Sequence, residues 1–371
     1  MKEREKQTFY LDVLNIISAF AVVMLHANGV FWGHPSGRLW ITSNLIETLF
    51  YFAVPVFFMI SGATLMDYKE RYSTKDYLLK RLVRVGIPFV VWEAFGVVLR
   101  GNLPFDHCIS KEMLFRIIDG TYNSSYVPVY WFFLPLFVIY LSIPFLASVQ
   151  DKKKNFRYVL AWSILVITAQ LIVNFLKWKY GWMIPLDLNK ISSVVSAYPL
   201  LYPLLGYCLA KYDTPKKYRI IIYVLGCAGF LIHFFGTVML SPPEGSINTL
   251  FKGYGNLPAI LQAAAVFLFV KNIDFSRIPN PVSDIIRFIK PYTFFVYLVH
   301  FYLIVYVQEN NPDIFPTIYF RTIGCLIIFS ICVLTGWLIS ICTNGPLIGL
   351  RCVFGLPIAR QQTPKHKANT M

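Results

Sequence analysis

The segment of residues 9–28 combines a long apolar run with three polar side chains, Asp12, Asn15 and His26. At about 100° per residue, the fourteen steps from Asp12 to His26 and the eleven steps from Asn15 to His26 both end within roughly 40° of whole turns. A helix would therefore place all three on one face. Neutral imidazole accepts a proton from a hydroxyl at physiological pH, which makes His26 a candidate general base. The alternative is a histidine that only lies at a membrane interface.

Two carboxylates and two more histidines also lie in apolar segments: Glu47, Glu93, His233 and His300. An ionisable group in hydrocarbon costs about 2.5–3.5 kcal/mol, so each needs a partner, a wet cavity or a function. We expect Glu93 to pair with a cation or to orient His26, and Glu47 to reach His26 or a substrate vestibule. The alternatives are a structural acid for Glu93 and a solvated interface acid for Glu47. We interpret His233 as structural.

The chain that positions these residues is 56% hydrophobic and only 14% charged over its 371 residues. A soluble domain is about 45–50% apolar and about 25% charged. The apolar stretches are about 20 residues long, as transmembrane helices require, and lack the strict alternation of barrel strands. The sequence predicts an all-α integral membrane protein, with one domain over residues 1–371 and ten transmembrane helices at roughly 9–28, 43–66, 82–99, 129–148, 158–177, 193–210, 219–240, 256–270, 291–308 and 320–343.

Lysine and arginine are distributed unequally between the segments that connect these helices. With a cytoplasmic N-terminus, the inner segments hold 25 and the outer segments 9 of the 34. This bias predicts that both termini are cytoplasmic, in a multi-pass protein of the cytoplasmic membrane. The net charge of +15 then reflects insertion and anionic lipid, which argues against nucleic-acid binding. We do not expect a cleaved signal peptide, because the first segment carries polar residues and nine more segments follow.

The seven cysteines are scattered at irregular spacing and include no CxxC pair. We interpret them as small buried hydrophobic residues rather than as a zinc or redox site, and we expect no metal.

Five segments, in order, resemble the membrane acyltransferase-3 family, the bacterial O-acyltransferases that act on surface carbohydrates. They are YLDVLNIISAFAVVMLHANG (10–29), VPVFFMISGATL (54–65), KRLVRVGIPF (80–89), VYWFFLPLFVIYLSIPFL (129–146) and FFVYLVHFYLI (294–304). The resemblance covers nearly the whole chain. It implies transfer of an acyl group, most often acetyl, from acyl-coenzyme A to a hydroxyl of a cell-surface or lipid-linked carbohydrate. Acetyl-coenzyme A would be a co-substrate, and no permanently bound cofactor is implied.

The resemblance also implies roles for single residues. His26 matches the family's catalytic histidine, whereas Asn15 occupies a position that is basic in the family and supplies no charge. Lys80, Arg81 and Arg84 match the family's RxxR element. Their spacing would place them on one helical side, where guanidinium and ammonium groups suit the phosphates of coenzyme A. The alternative is that these three cations only anchor the chain at the cytoplasmic face.

Four further residues belong to the matched segments. Ser61, in FFMISG, is expected to serve packing or donor binding rather than to act as a nucleophile, because no base lies near it in the sequence. His300 matches the family's YLxH element and is interpreted as a hydrogen-bonding residue that faces the bundle. Tyr130 and Trp131 match an aromatic pair that either stacks on a sugar or belongs to the interfacial aromatic belt.

Two functions from other classes remain as alternatives. A transporter or polysaccharide exporter would also be a polar-lined bundle, but it would need broken helices or a wide hydrophilic path. A scaffolding membrane protein would have no use for His26 and the cationic cluster together. The favoured prediction is an O-acyltransferase whose partners are acyl-coenzyme A, a carbohydrate and membrane lipid.

Overall fold

The computed structural model describes residues 3–33, 36–100, 111–181, 198–242 and 245–357. This part of the chain contains fourteen α-helices and no β-strand. The helices are α1 (Glu3–Ala27), α2 (Gly37–Phe50), α3 (Ala53–Leu65), α4 (Thr74–Arg81), α5 (Ile87–Arg100), α6 (Lys111–Tyr122), α7 (Phe133–Leu146), α8 (Lys152–Tyr180), α9 (Leu201–Lys211), α10 (Lys216–Leu240), α11 (Leu257–Lys271), α12 (Asn280–Ile289), α13 (Thr293–Asn310) and α14 (Cys325–Cys342).

Eight helical segments of the described chain are long and apolar enough to cross a membrane. They coincide with eight of the ten predicted spans. The other two, 193–210 and 256–270, correspond to α9 and α11, which have 11 and 15 residues and bury most of their side chains inside the bundle. Residues 193–197 lie outside the described residues. Exposed leucine, isoleucine and phenylalanine side chains cover α8, α10 and α14, as a lipid-facing surface requires. The chain is an all-α, multi-pass membrane protein.

The predicted span 43–66 is not one continuous helix. The structure interrupts it at Tyr51 and Phe52, between α2 and α3. Proline lacks an N–H group, and its ring clashes with the carbonyl four residues earlier. Pro55 is the third residue of α3, so it has no N–H group to donate to the carbonyl oxygen of Tyr51. The interruption of the predicted span follows from this missing hydrogen bond and from the proline ring.

The predicted span 82–99 begins earlier than expected, at α4. Ser73 caps α4, and its hydroxyl accepts a hydrogen bond from the backbone N–H of Asp76 at 3.1 Å. A π-helical turn, Leu82–Gly86, then joins α4 to α5 without a break. Its wider i→i+5 hydrogen bonding rotates successive side chains differently from an α-helix. The turn therefore affects the relative directions of the side chains of Arg81 and Arg84.

Besides α4, two helices lie in segments that the sequence predicts to be connections between spans. α6 lies between the predicted spans 82–99 and 129–148, and α12 lies just before α13. Every described side chain of α12 is at least partly exposed, and Val282, Ile285 and Phe288 form its apolar side. Such a short amphipathic helix is typical of a membrane interface rather than of a span.

α1 lies at the centre of the bundle and packs against α2, α3, α11, α13 and α14. The closest helix pair is α3 with α9. A Cβ atom on Gly62 would overlap the backbone of Pro203, and one on Gly206 would overlap the backbone of Met59. Gly62 and Gly206 therefore let the backbones of α3 and α9 come into contact. These contacts hold α3, which carries Ser61, against the core.

Buried or partly buried ion pairs link distant parts of the chain at two places. At one end, Asp67 binds Lys152 at 3.2 Å and Lys211 at 2.9 Å, and so links the segment after α3 to the start of α8 and the end of α9. At the other end, Lys252 binds Glu47 at 2.7 Å. Segments predicted to share a membrane side therefore meet in the structure. Which end faces the cytoplasm stays a prediction.

The six described cysteines are free, and Cys208, Cys325 and Cys332 are buried. Cys108 lies outside the described residues.

Candidate functional site

A cavity of about 500 Å³, here called the His26 cavity, has His26 and Glu47 in its wall. His26 is on the last turn of α1 and Glu47 is on α2. The remaining wall is mainly apolar and aromatic, and it includes Trp131, Tyr254 and Phe301. These three come from the turn before α7, the loop before α11 and α13. The break after α2 brings Tyr51 and Val54 into the same wall.

His26 is joined to His300 by a hydrogen bond of 2.7 Å between Nδ1 of His26 and Nε2 of His300. The other ring nitrogen of His300, Nδ1, lies 2.8 Å from the carbonyl oxygen of Val296. A carbonyl oxygen only accepts, so Nδ1 of His300 carries a proton. In neutral His300, Nε2 is then an acceptor, and Nδ1 of His26 must donate to it. Nε2 of His26 is left with a free lone pair.

The two imidazole rings are also nearly parallel, with centroids 5.0 Å apart and an angle of 19° between their planes. His300 is fully buried, whereas His26 is half-buried and lies in the cavity wall. His300 thus lies inside the bundle, and its side-chain hydrogen-bond partner is His26. A backbone carbonyl of α13 thus fixes the ring orientation and the tautomer of the candidate base on α1.

Glu47 forms a buried ion pair with Lys252, at 2.7 Å from Oε1. The Lys252 ammonium also lies over the rings of Phe31, Trp32 and Tyr51, at 4.6, 5.1 and 4.0 Å from their centroids. The carboxylate and the aromatic faces together stabilise the positive charge of Lys252 in a site of low dielectric constant. Oε2 of Glu47 has no hydrogen-bond partner among the described residues. Glu47 is therefore a buried carboxylate rather than a solvated interface acid, and its Oε2 is a buried acceptor without a partner in the described chain.

A second cavity, of about 230 Å³ and here called the Arg81 cavity, contains three of the predicted donor-binding residues. Asn15 of α1, Ser61 of α3 and Arg81 of α4 all lie in its wall, together with Tyr140. The hydroxyl of Ser61 donates to the carbonyl oxygen of Phe57 at 3.2 Å. Nε of Arg81 is buried and has no hydrogen-bond partner within the described ranges. The cavity therefore offers a cation and neutral polar groups to an anionic or polar ligand.

The predicted cationic cluster is divided by the structure. Arg81 is half-buried in the wall of the Arg81 cavity, whereas Lys80 and Arg84 are exposed and do not line it. The ammonium of Lys80 lies 3.8 Å from the ring centroid of Tyr72. Of these three cations only Arg81 lines the cavity, and the π-helical turn that begins at Leu82 changes the rotation between Arg81 and Arg84.

The polar side of α1 is arranged along the two cavities. Asn15 lines the Arg81 cavity and His26 lines the His26 cavity. Eleven residues of helix separate them, which is about 16 Å at 1.5 Å per residue. Asp12 lies outside both linings and pairs with Lys290 at 3.4 Å. Of the three residues predicted to share one face of α1, Asn15 and His26 thus line cavities, whereas Asp12 forms an ion pair outside them.

Two other candidate residues are placed away from the cavities. Glu93 is buried on α5 and belongs to neither lining. Its proposed role in orienting His26 stays a prediction, since the imidazole partner in the structure is His300. Tyr130 is also buried, and its hydroxyl donates to the carbonyl oxygen of Leu298 at 2.7 Å. Its neighbour Trp131 lines the His26 cavity and stacks on Tyr254, with centroids 5.5 Å apart.

Several residues in or beside the two cavities were not among the sequence candidates. Lys252 is a lone cation in a loop, and nothing in the sequence points to its partner on α2. Phe132, Tyr254 and Tyr297 belong to a chain in which 17% of all residues are aromatic, so their residue type gives no signal. Tyr140 likewise lies in an apolar segment. Only the packing of helices that are distant in sequence identifies them.

Comparisons with known proteins give a family match over most of the chain. The model of a family described as "Acyltransferase domain" matches residues 8–337. The protein named "Putative membrane-bound acyltransferase YfiQ" of Bacillus subtilis (strain 168) is 22% identical over 349 residues, which cover 88% of this chain and 90% of that protein. No protein of solved structure matches the chain.

Proposed function

The chain belongs to the acyltransferase-3 family of membrane acyltransferases, and we propose that it transfers an acetyl group from acetyl-coenzyme A to a hydroxyl of a carbohydrate, with His26 as general base. One observation carries the proposal. The hydrogen-bond chain from His26 through His300 to the carbonyl of Val296 leaves a free lone pair on Nε2 of a cavity-lining histidine. Such a nitrogen is the atom that an acceptor hydroxyl needs.

The proposed reaction has two proton transfers at this nitrogen. Nε2 of His26 takes the proton of the acceptor hydroxyl while its oxygen attacks the thioester carbonyl carbon. The tetrahedral intermediate then breaks its carbon–sulfur bond, and the coenzyme A thiolate receives the proton from Nε2. An ester and free coenzyme A result. A general base of this kind contributes about 10²–10⁴-fold to the rate.

His300 supports the charged state of His26 during this cycle. Its Nε2 accepts a hydrogen bond from Nδ1 of His26, and that bond strengthens when the His26 ring becomes cationic. The proton on Nδ1 of His300 is held by Val296 throughout. His300 is therefore a positioning residue, and it does not need to contact the substrate.

The donor is assigned to the Arg81 cavity because its phosphates need a cation. The cavity volume of about 230 Å³ is smaller than that of a pocket for a whole cofactor, which is typically about 300–1,000 Å³. We therefore place only the extended thiol arm inside, beside Asn15 and Ser61. The nucleotide would remain outside the cavity, near Arg81 and within reach of the exposed side chains of Lys80 and Arg84.

The acceptor is assigned to the His26 cavity. Trp131 and Tyr254 are stacked with an angle of 20° between their rings, and Tyr51 stacks on the other face of this group at 4.4 Å from Tyr254. Flat aromatic faces pack against the C–H face of a sugar, and the free oxygen of Glu47 accepts a sugar hydroxyl. A carbohydrate is the substrate class that uses both features.

Washed membranes that contain the protein, incubated with acetyl-labelled coenzyme A, test the proposal. We expect label in the glycan fraction for the wild-type protein and none for membranes that carry His26→Ala at equal abundance. Movement of glycan across the membrane without label transfer would instead support the exporter. Transfer of label by His26→Ala at the wild-type rate would refute His26 as the base.

A further inference from the structure

The Arg81 cavity and the His26 cavity have two lining residues in common, Phe132 and Tyr297. Phe132 ends the 3-10 turn before α7, and Tyr297 is on α13. The two ring centroids are 5.0 Å apart. These two rings, here called the partition, therefore stand between the cation of one cavity and the imidazole of the other.

The partition is held in place from several sides. Phe132 stacks on Phe58 of α3, with centroids 5.1 Å apart and an angle of 4° between the rings. The hydroxyl of Tyr297 donates to the carbonyl oxygen of Val129 at 2.5 Å, which ties α13 to the turn that carries Phe132. Both side chains are about 5% exposed or less. The rings are thus part of the packed core and not of a mobile loop.

The proposed reaction, on which this inference rests, puts the reacting carbon at the partition. In the tetrahedral intermediate that carbon is bonded to the sulfur of the donor and to the oxygen of the acceptor at the same time. The sulfur is reached from the Arg81 cavity and the oxygen from the His26 cavity. The carbon lies between them, so the alkyl tail of the acyl group must fit beside Phe132 and Tyr297.

We propose that Phe132 and Tyr297 determine the length of the acyl chain and restrict the protein to short acyl groups. The neighbouring positions in the Arg81 cavity are filled by the bulky side chains of Phe57, Ile60 and Leu136, which limit the space beside the partition. A single methylene too many in an apolar pocket costs about 10–200-fold in kcat/KM. Removal of the Phe132 ring opens the space that such a tail requires.

The experiment compares acetyl-coenzyme A with hexanoyl-coenzyme A as donors for the purified, reconstituted full chain. The measured quantity is the ratio of kcat/KM for hexanoyl to that for acetyl. We expect Phe132→Ala to raise this ratio at least tenfold over wild type. Phe137→Ala removes the same side chain five residues further along the chain, on α7, from a residue outside both cavities, and should leave the ratio unchanged.

Each outcome is decisive. An unchanged ratio in an active Phe132→Ala protein overturns the inference and leaves the proposed function standing. A wild-type protein that transfers neither acyl group overturns the proposed function and the inference together. If Phe132→Ala does not accumulate, Phe132→Leu replaces it, because a leucine is smaller than the ring and stays apolar. An equal rise of the ratio in Phe137→Ala would show general loosening of the bundle and would also overturn the inference.

Discussion

The Arg81 cavity and the His26 cavity are served by the same helix but are chemically opposite. α1 contributes Asn15 to the first and His26 to the second. The first cavity has an arginine nitrogen without a partner within the described chain and suits an anionic donor. The second has a free imidazole nitrogen and a free carboxylate oxygen, which suit hydroxyl groups. In the proposed reaction, α1 therefore carries one residue for donor binding and one for proton transfer, and about three helical turns separate them.

The charged side chains of the two cavities also differ in burial and in how their charges are compensated. Arg81 is half-buried and borders the exposed cations Lys80 and Arg84. Glu47 and Lys252 are fully enclosed and neutralise each other. A buried carboxylate therefore persists beside the candidate base only because a lysine, caged by aromatic rings, compensates it. Removal of a single charge should therefore weaken ligand binding at Arg81, whereas at the Glu47–Lys252 pair it should lower the stability of the protein.

The largest effect is expected for His26→Ala. Loss of the general base should reduce the acyl-transfer rate by about 10²–10⁴-fold, while the protein still inserts and accumulates. The measurement is the initial rate per folded protein in reconstituted vesicles. His233→Gln is the matched control, because His233 is a buried histidine outside both cavities. Activity of His26→Ala within tenfold of wild type would contradict the assignment.

Lys252→Met tests the enclosed ion pair. Removing one partner of a buried pair costs about 3–5 kcal/mol, because the remaining charge has no compensation. We expect a large fall in the melting temperature of the detergent-solubilised protein. The double variant Glu47→Gln/Lys252→Met removes both charges and should recover most of the stability. Its KM for the acceptor should nevertheless stay raised, and a wild-type KM would show that Glu47 does not bind the acceptor.

His300→Leu should lower kcat by roughly 10²-fold, since a misplacement of about 1 Å in a catalytic group can cost that much. His300→Gln retains an oxygen near the position of Nε2 and should recover most of the rate. KM for the donor should not change in either variant, because His300 lies outside the Arg81 cavity. Equal losses in Leu and Gln variants would argue against a hydrogen-bonding role.

Arg81→Ala and Arg84→Ala separate the two cations of the RxxR element. A hydrogen bond to a charged group contributes about 1.5–3 kcal/mol, so Arg81→Ala should raise KM for the donor roughly 10–100-fold. Arg84 is exposed outside the cavity, and its substitution should have a smaller effect. KM for the acceptor should stay constant in both. Equal effects of the two variants, or an effect on abundance alone, would support the anchoring alternative.

The smallest effect is expected at Asn15. Asn15→Leu replaces a polar group in the wall of the Arg81 cavity and should lower activity a few-fold by leaving donor polar groups without a partner. Asn15→Arg should be tolerated, because the family carries a basic residue at this position. Wild-type activity of the Leu variant together with misfolding of the Arg variant would show that Asn15 serves packing.

The parts of the account that depend on short-range patterns were predictable from the sequence. The apolar runs and the face shared by Asn15 and His26 follow from helical periodicity alone. The break before Pro55 was also readable, since a proline in mid-span signals it. The pairings His26–His300 and Glu47–Lys252 were not, because 274 and 205 residues separate the partners in the chain. The π-helical turn that separates Arg81 from Arg84 has no clear sequence signal either.

The central claim is that the donor binds in the Arg81 cavity and the base lies in the His26 cavity. A structure of the full chain with a thioether analogue of acetyl-coenzyme A tests this claim most directly, because it shows the positions of the donor and of His26 together. The account predicts the phosphates of the analogue near Arg81 and its sulfur beside Phe132 and Tyr297. Nε2 of His26 should face the carbonyl carbon from the other cavity. An analogue whose nucleotide occupies the His26 cavity, or whose acetyl group lies more than a few ångströms from the partition, would contradict the division of roles between the two cavities.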